Sequence, residues 1–384
     1  MLAANPTMGH SHPFKNDDSK PIPYQKVMEN ALGFTTEMRR ASAVDTAPAI
    51  AAFMRSGGCG VNTSDKTTID AYTSTTDFSL AAEGSVAGEA GLCELDNGLY
   101  WPVLVAANSG AANFNITPMN ALPSATSNSN DWEVMTTIWP HFRQVETDRT
   151  LSFRRLTPMD YAGGTNEVAF DYKGCALGTG PVISITPAGE PIRVPMTFHC
   201  GTLEIEDIAL AEEVFVDSEK FIITTDDLSV NIGTYADAGG IAYSPTCIYS
   251  IEIDTGFTTV PIIAGGCTSS FAGMQGYIMV PGVPTITITA DWSVTDWQAL
   301  ESDQTPKEIA IVQPTRAITQ PAMGFWGHNA VLRGDDAITE DYESNSYVTI
   351  TSKYTLGAAG IDSDTLISEI GAAPWHWAIS GEGA

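Results

Sequence analysis

PVISITPAGEPIRVPMTFHC, residues 181–200, is the stretch that decides the fold class. A β-branched run from Pro181 to Thr186 is followed by Pro187-Ala188-Gly189, a turn tripeptide, and then by Ile192 to Cys200. In the second run Val194, Met196 and Phe198 fall on one face, and Arg193, Thr197 and His199 on the other. That period of two is the signature of a strand with one face buried. Two such runs joined by a turn predict antiparallel pairing.

The same alternation extends outward in both directions. Upstream, Trp132 to Trp139, Thr150 to Leu156 and Glu167 to Lys173 read as half-buried strands. Earlier still, strands are expected at Thr67 to Tyr72, Asp77 to Ala82 and Tyr100 to Ala106, with a short helical stretch from Ala90 to Leu95. APAIAAFMRSGGCG, residues 47–60, predicts a helix that places Ile50, Phe53 and Met54 on one face and stops at Gly57 and Gly58. Downstream, strands are expected at Phe221 to Thr224, Leu228 to Ile232 and Cys247 to Ile253. The turn Pro281-Gly282-Val283-Pro284 leads into the Ile/Thr alternation of Thr285 to Trp292. SVTDWQALES then predicts a helix capped by Ser293, with Asp296 in its first turn. Glu308 to Val312 and Tyr347 to Leu356 close the series, and AAPWHWAIS places Trp375 and Trp377 on one face of a last strand, as an anchor for the C-terminus or a subunit contact.

Two halves emerge, each with one short helix beside a sheet. GEPIRVPMTFHC and GVPTITITADW rhyme as a Gly-X-Pro step before a long alternating strand, which suggests a duplication. The expected organisation is an extended, proline-bearing arm over residues 1–45, a first β domain over 46–215 and a second over 216–384.

Composition narrows the function. Of 384 residues, 43% are hydrophobic and 17% charged, with 34 Gly and 22 Pro, the balance of turn-rich sheets. Acidic residues outnumber basic ones 46 to 18, for a formal charge of −28. Such a surface repels phosphate backbones, which argues against nucleic-acid binding; it suits a wall past which DNA must slide, and equally a secreted or halotolerant protein kept soluble by its acidity. No run approaches the roughly 18 apolar residues of a membrane span, and the first thirty residues carry no apolar leader core, so a protein made in the cytosol is expected. Six cysteines without a C-x-x-C pair are expected as buried free thiols.

Enzyme signatures are missing: there is no phosphate-binding glycine loop, no G-x-S-x-G elbow and no H-E-x-x-H helix. Asp254-Thr255-Gly256 matches the turn that presents an aspartic-protease carboxylate, but that chemistry needs two carboxylates sharing a proton and the chain has a single copy. A turn built by Asp254 and Gly256 is the plainer reading. His10 and His12 lack a third ligand, and Asp226-Asp227 and Asp335-Asp336 lack an EF-hand spacing. His141, His199, His328 and His376 are isolated along the chain. No catalytic, cofactor-binding or metal-ligating residues are therefore assigned, and no cofactor is expected.

From Ala47 to Ile208 the sequence resembles the major tail tube proteins of long-tailed, siphovirus-type bacteriophages. The resemblance rests on APAIAAFMRSGGCG followed by DKTTIDAYTS, and on TNEVAFDYKGCALGTGPVISITPAGEPIRVPMTFHCGTLEI with its ordered turns and long strand. In the second half it rests on CIYSIEIDTGFTTVPII. The residues between Gly98 and Asn130 and the N-terminal arm have no counterpart. The resemblance implies a mainly β protein of two antiparallel β-sandwich or half-barrel domains, each flanked by a short helix. Subunits would close into rings of three or six chains, stacked into a tube that conducts double-stranded DNA without binding it. It implies a virion protein of the tail, assembled in the host cytoplasm beside other tail proteins and away from any membrane. Glu204, Glu206, Glu252 and Asp254 are the candidate lumen-facing acids, and Trp375 and Trp377 the candidate inter-subunit contacts. Rival readings are a capsid decoration or tail fibre protein, a carbohydrate-binding surface protein, and a β-rich hydrolase centred on Asp254.

Overall fold

The computed structural model describes residues 4–11, 22–40, 47–62, 90–94, 98–108, 114–116, 132–141, 150–158, 166–209, 222–225, 227–234, 243–263, 274–303, 305–317, 320–332, 339–341, 347–358 and 373–380. Within them the chain is mainly antiparallel β, with two short helices. The strands expected at 67–72 and 77–82 lie outside the described residues.

Sixteen strands join one sheet. Its spine runs from the hairpin Ala4–Ser11/Ile22–Glu37 through Arg193–Ala209, Val182–Ile185, Cys247–Asp254, Thr285–Ser293, Tyr347–Thr355, Met323–Leu332, Trp375–Ile379 and Thr136–Pro140 to Cys59–Asn62. Residues 22–37, read from sequence as part of an arm, are thus a strand whose second half pairs with Arg193–Cys200. The spine also crosses from one half of the chain to the other where Val182–Ile185 pairs with Cys247–Asp254. Inward-facing Val194, Met196, Phe198, Ile251, Ile253, Ile286, Ile288, Phe325, Trp375 and Trp377 belong to one apolar cluster.

The opening hairpin keeps its predicted faces. Val194, Met196 and Phe198 are buried, while Arg193 and Thr197 are exposed. Its two strands, however, meet only at Ser184 opposite Arg193, because each takes a different main partner. The rhyming segment differs again: Met274–Pro281 pairs back with Phe257–Ile263, and Thr285–Ser293 pairs with Cys247–Asp254 and Tyr347–Thr355.

Both helices form. Ala49–Ser56 buries Ile50 and Met54 against the sheet and ends at Gly57. Its N-cap is Pro48, which has no side-chain cap. Val294–Ser302 starts at Ser293, whose hydroxyl accepts from the Asp296 amide, and buries Trp297 and Leu300. The helical stretch expected over Ala90 to Leu95 is corrected to a strand, Ala90–Glu94, hydrogen-bonded on both sides by Tyr100–Asn108 and Trp132–Val134. Two ladders overrule the helix propensity of Ala, Leu and Glu. The expectation of free thiols is corrected too, since Cys175 and Cys200 are opposite each other in the ladder and form a buried cross-strand disulfide. Cys59 is buried and Cys247 exposed, neither of them in that disulfide.

Candidate functional site

Two surfaces stand out, a hairpin that leaves the main sheet and the broad polar face beside it. The hairpin begins where Asp254 ends its strand. The Gly256 amide donates to Asp254 Oδ1 at 2.9 Å, and Gly256 has φ +67°, with Pro284 so close that a β-carbon would lie 2.3 Å from its nitrogen. Only glycine fits there. Asp254-Thr255-Gly256 is a turn that redirects the chain out of the main sheet.

Phe257–Ile263 and Met274–Pro281 then form a two-stranded sheet of their own. One face is clamped to the body. Phe257, Thr259 and Met279 are buried, the Gly180 amide donates to Phe257 O at 2.7 Å and the Thr259 amide to Gly178 O at 2.9 Å. The Tyr277 hydroxyl reaches Gly174 O and His199 O at 2.9 and 3.1 Å. The other face is bare: Val260 is 49% exposed, Ile278 41% and Val280 42%, with Val283 at 56% just beyond the strand. Val260 is directly opposite Ile278. Nine large hydrophobics are exposed among the described residues, and three of them, Val260, Ile278 and Val280, lie in this one hairpin.

A sequence signal accompanies this geometry. From Thr255 to Ala290 the chain has no Asp, Glu, Lys or Arg, in a protein whose formal charge is −28. That gap is the cue by which the hairpin was findable from sequence alone.

The polar face lies on the outward side of the main sheet. Register aligns Glu37, Arg193, Ser184, Glu252, Thr287 and Lys353 in one row across six strands. Charges along the row alternate in sign, so it is balanced despite the acidity of the whole. Around it lie hydroxyls, with Thr289 and Thr351 sharing a hydrogen bond of 2.9 Å and Thr349 donating to Asp291 at 2.5 Å. At one end, Thr35, Thr36, Glu37, Arg39 and Arg193 line an open cleft.

The four acids expected in a lumen do not share one environment. Glu252 stands exposed in the charged row, and Asp254 belongs to the turn. Glu204 and Glu206 lie on a ribbon formed by Leu151–Pro158, Asn166–Leu177 and the far half of Arg193–Ala209. There Lys173 reaches Glu204 at 2.5 Å and Arg154 lies 4.0 Å from Glu206. Cations therefore offset both glutamates.

Arg154 also grips Asp171 through two hydrogen bonds of 2.6 and 2.5 Å. These bonds hold the Asp171 carboxyl below its ordinary range against the opposing effect of burial. A carboxyl with a depressed folded value adds stability that is complete above the unfolded range, about pH 4, and is lost as pH falls through the folded value. Asp171→Asn is expected to lower the urea midpoint at pH 7, and the gap from the parent should narrow below about pH 4. A gap that stayed constant down to pH 2 would contradict this role.

Trp375 and Trp377 need correction as inter-subunit contacts. Both are 0% exposed within a single chain, in a strand held between Met323–Leu332 and Thr136–Pro140. They anchor the C-terminal strand. His328 and His376, isolated in sequence, are hydrogen-bonded in space at 2.7 Å.

Among the described residues, no three His, Cys, Asp or Glu side chains converge as a metal site, and no helix is long and apolar enough to cross a membrane. Neither a scan against protein-family models nor a comparison with curated proteins returns a match to this chain.

Proposed function

We propose that this chain is a structural subunit that assembles with copies of itself, in the manner of a phage tail tube, with the hairpin Phe257–Ile263/Met274–Pro281 as the principal contact. The observation that carries the reading is the bare apolar face on an uncharged segment of a strongly acidic chain. Two copies at −28 each repel one another over most of their surface, and they approach at lowest cost where neither carries charge. Exposed Val and Ile that gain nothing in a monomer contribute burial once a second copy covers them.

Open strand edges support the same reading. Among the described residues Leu151–Pro158 pairs only with Asn166–Leu177, and Ser229–Thr234 only with Lys307–Gln313 apart from a single bridge from Tyr243 to Ile232. Such edges invite pairing, and closing a ring of subunits removes them. In a tube, the Thr-rich face with its balanced row would be a smooth wall, hydroxylated and without the dense positive charge that holds DNA. Glu252 is the lumen candidate that fits this face, whereas Glu204 and Glu206 are offset by cations on the ribbon.

The test is direct. Purified protein at micromolar concentration is expected to form hollow, regular tubes under negative-stain electron microscopy. Monodisperse monomers across a wide range of concentration and salt would overturn the proposal.

A further inference from the structure

Three ionisable side chains meet in the interior, away from every surface described above. Lys307–Gln313, Met323–Leu332 and Trp375–Ile379 lie side by side. Alternation turns Ile309, Phe325, Trp375 and Trp377 toward the main core and Glu308, Trp326, His328 and His376 to the other face. Tyr100–Asn108 packs against the first two of these strands. His328 Nδ1 lies 2.6 Å from Glu308 Oε2, and His328 Nε2 lies 2.7 Å from His376 Nδ1. Both rings are 0% exposed and Glu308 is 8% exposed.

Local backbone aims this chain. The ladder between Lys307–Gln313 and Met323–Leu332 shifts register between Lys307 and Ile309. Asn329, at φ 45°, is the non-glycine residue with positive φ among those described. A bulge of this kind redirects the neighbouring side chain, here His328 toward Glu308. The backbone of His328 is held as well, its amide donating to Pro374 O at 3.0 Å and its carbonyl accepting from Gly357 at 3.0 Å.

Proton counting gives the arrangement a consequence. Glu308 accepts from the Nδ1 proton of His328. The 2.7 Å line to His376 has room for one proton, because two N–H groups cannot point at each other along it. With a third proton on the far nitrogen of His376, the two rings together carry one positive charge that offsets the Glu308 carboxylate. A fourth ring proton breaks the line. In the unfolded chain both histidines take up all four below about pH 6.5.

We propose that Glu308, His328 and His376 form an acid-released latch on the C-terminal strand. Below the histidine range the fourth proton is accommodated only with the His328–His376 bond broken, so Trp375–Ile379 opens more readily from Met323–Leu332. One extra proton in the open state multiplies the opening equilibrium about tenfold per pH unit. Other titratable groups on the surrounding elements are few. Lys307 turns to Asp303 and Thr305, the covering sheet carries Cys93, Glu94, Tyr100 and Glu133, the adjoining strand carries Tyr347, Lys353 and Tyr354, and His141 follows Thr136–Pro140. Of these, His141 is the other histidine and supplies the control.

The inference does not depend on assembly, and hydrogen exchange of the full chain tests it. Protection of the Trp375–Ile379 amides is read against Thr285–Ser293 in the same molecule, which cancels the intrinsic pH dependence of exchange. The ratio is expected to fall about tenfold per pH unit between pH 6.5 and 4.5 in the parent and in His141→Gln. It should be flat in His376→Gln. A flat ratio in the parent, or an unchanged slope in His376→Gln, overturns the latch. Should His376→Gln fail to fold, ring nitrogen resonances of the parent decide: two full imidazoliums at pH 5 with the strand still protected would overturn it equally.

Discussion

Val260→Asp combined with Ile278→Asp is expected to abolish assembly while leaving the subunit folded. The two side chains are opposite each other on the bare face of the hairpin and about half exposed in the single chain. In the monomer each aspartate therefore points into water, and such substitutions usually change stability by about 0.5 kcal/mol or less. In the assembly each would be covered by a neighbour. Burying a Val or Ile side chain contributes about 1.5–3 kcal/mol, and a carboxylate put in its place forfeits that and adds the cost of an uncompensated charge. The loss recurs at every contact, so a polymer feels it many times over. In sedimentation the parent should pellet as large assemblies and the double variant should remain a monomer, with an unchanged circular dichroism spectrum and melting temperature. Val260→Thr with Ile278→Thr, which keeps shape and adds no charge, should assemble only at higher concentration. Assembly of the aspartate variant at the parent's concentration would remove the hairpin from the interface.

That hairpin also shows which parts of the molecule were readable in advance. Strands with strict alternation and a definite turn, such as Arg193–Cys200 and Thr285–Trp292, carry their own signal, because one buried face fixes both the period and the register. The helix after Ser293 was readable for the same reason, its cap and first-turn acid being local. Ala90–Glu94 was not, since its residues favour a helix and only partners on both sides make it a strand.

Met323–Leu332 was missed because Gly324, Gly327 and Asn329 look like strand breakers. In the fold, Gly324 lies under the Trp326 ring and Gly327 against Ile286 and Leu356, with no room for a β-carbon at either position. Residues 22–37 carry Pro23 near their start, which suggested an arm, although proline is compatible with the end of a strand. The candidate surface was half readable. Its lack of charge is written in the sequence, but which of Val260, Ile262, Ile278 and Met279 face outward depends on the clamp that Tyr277 and Thr259 make with the body. Glu308, His328 and His376 could not be joined from sequence, because the residues are far apart along the chain and a bulge sets their meeting.

The tryptophans of the last strand separate anchoring from assembly. Trp377→Ala is expected to destabilise the subunit by about 3–5 kcal/mol, the usual cost of removing a fully buried large aromatic side chain. Against a total of about 5–15 kcal/mol for a folded domain, that is enough to leave much of the protein unfolded at physiological temperature. Trp377 is opposite Phe325 on one side and Ile138 on the other, and its loss opens a void where three strands meet. Trp375 adds a polar tie: its indole N–H donates to Thr255 O at 3.0 Å, and its ring stacks on Phe325 at 5.8 Å between centroids. The indole of Trp377 has no acceptor among the described residues. Trp377→Phe should therefore lose volume alone, whereas Trp375→Phe also leaves a buried carbonyl with one partner fewer, at about 1 kcal/mol more. Urea unfolding of unassembled protein distinguishes the two roles. A residue that anchors the strand lowers the midpoint equally at every protein concentration, while a subunit contact would leave the monomer's midpoint unchanged and weaken only the assembly. Complete burial in a single chain requires the first outcome, and a Trp377→Ala monomer as stable as the parent would mean that this strand does not occupy its place in the core.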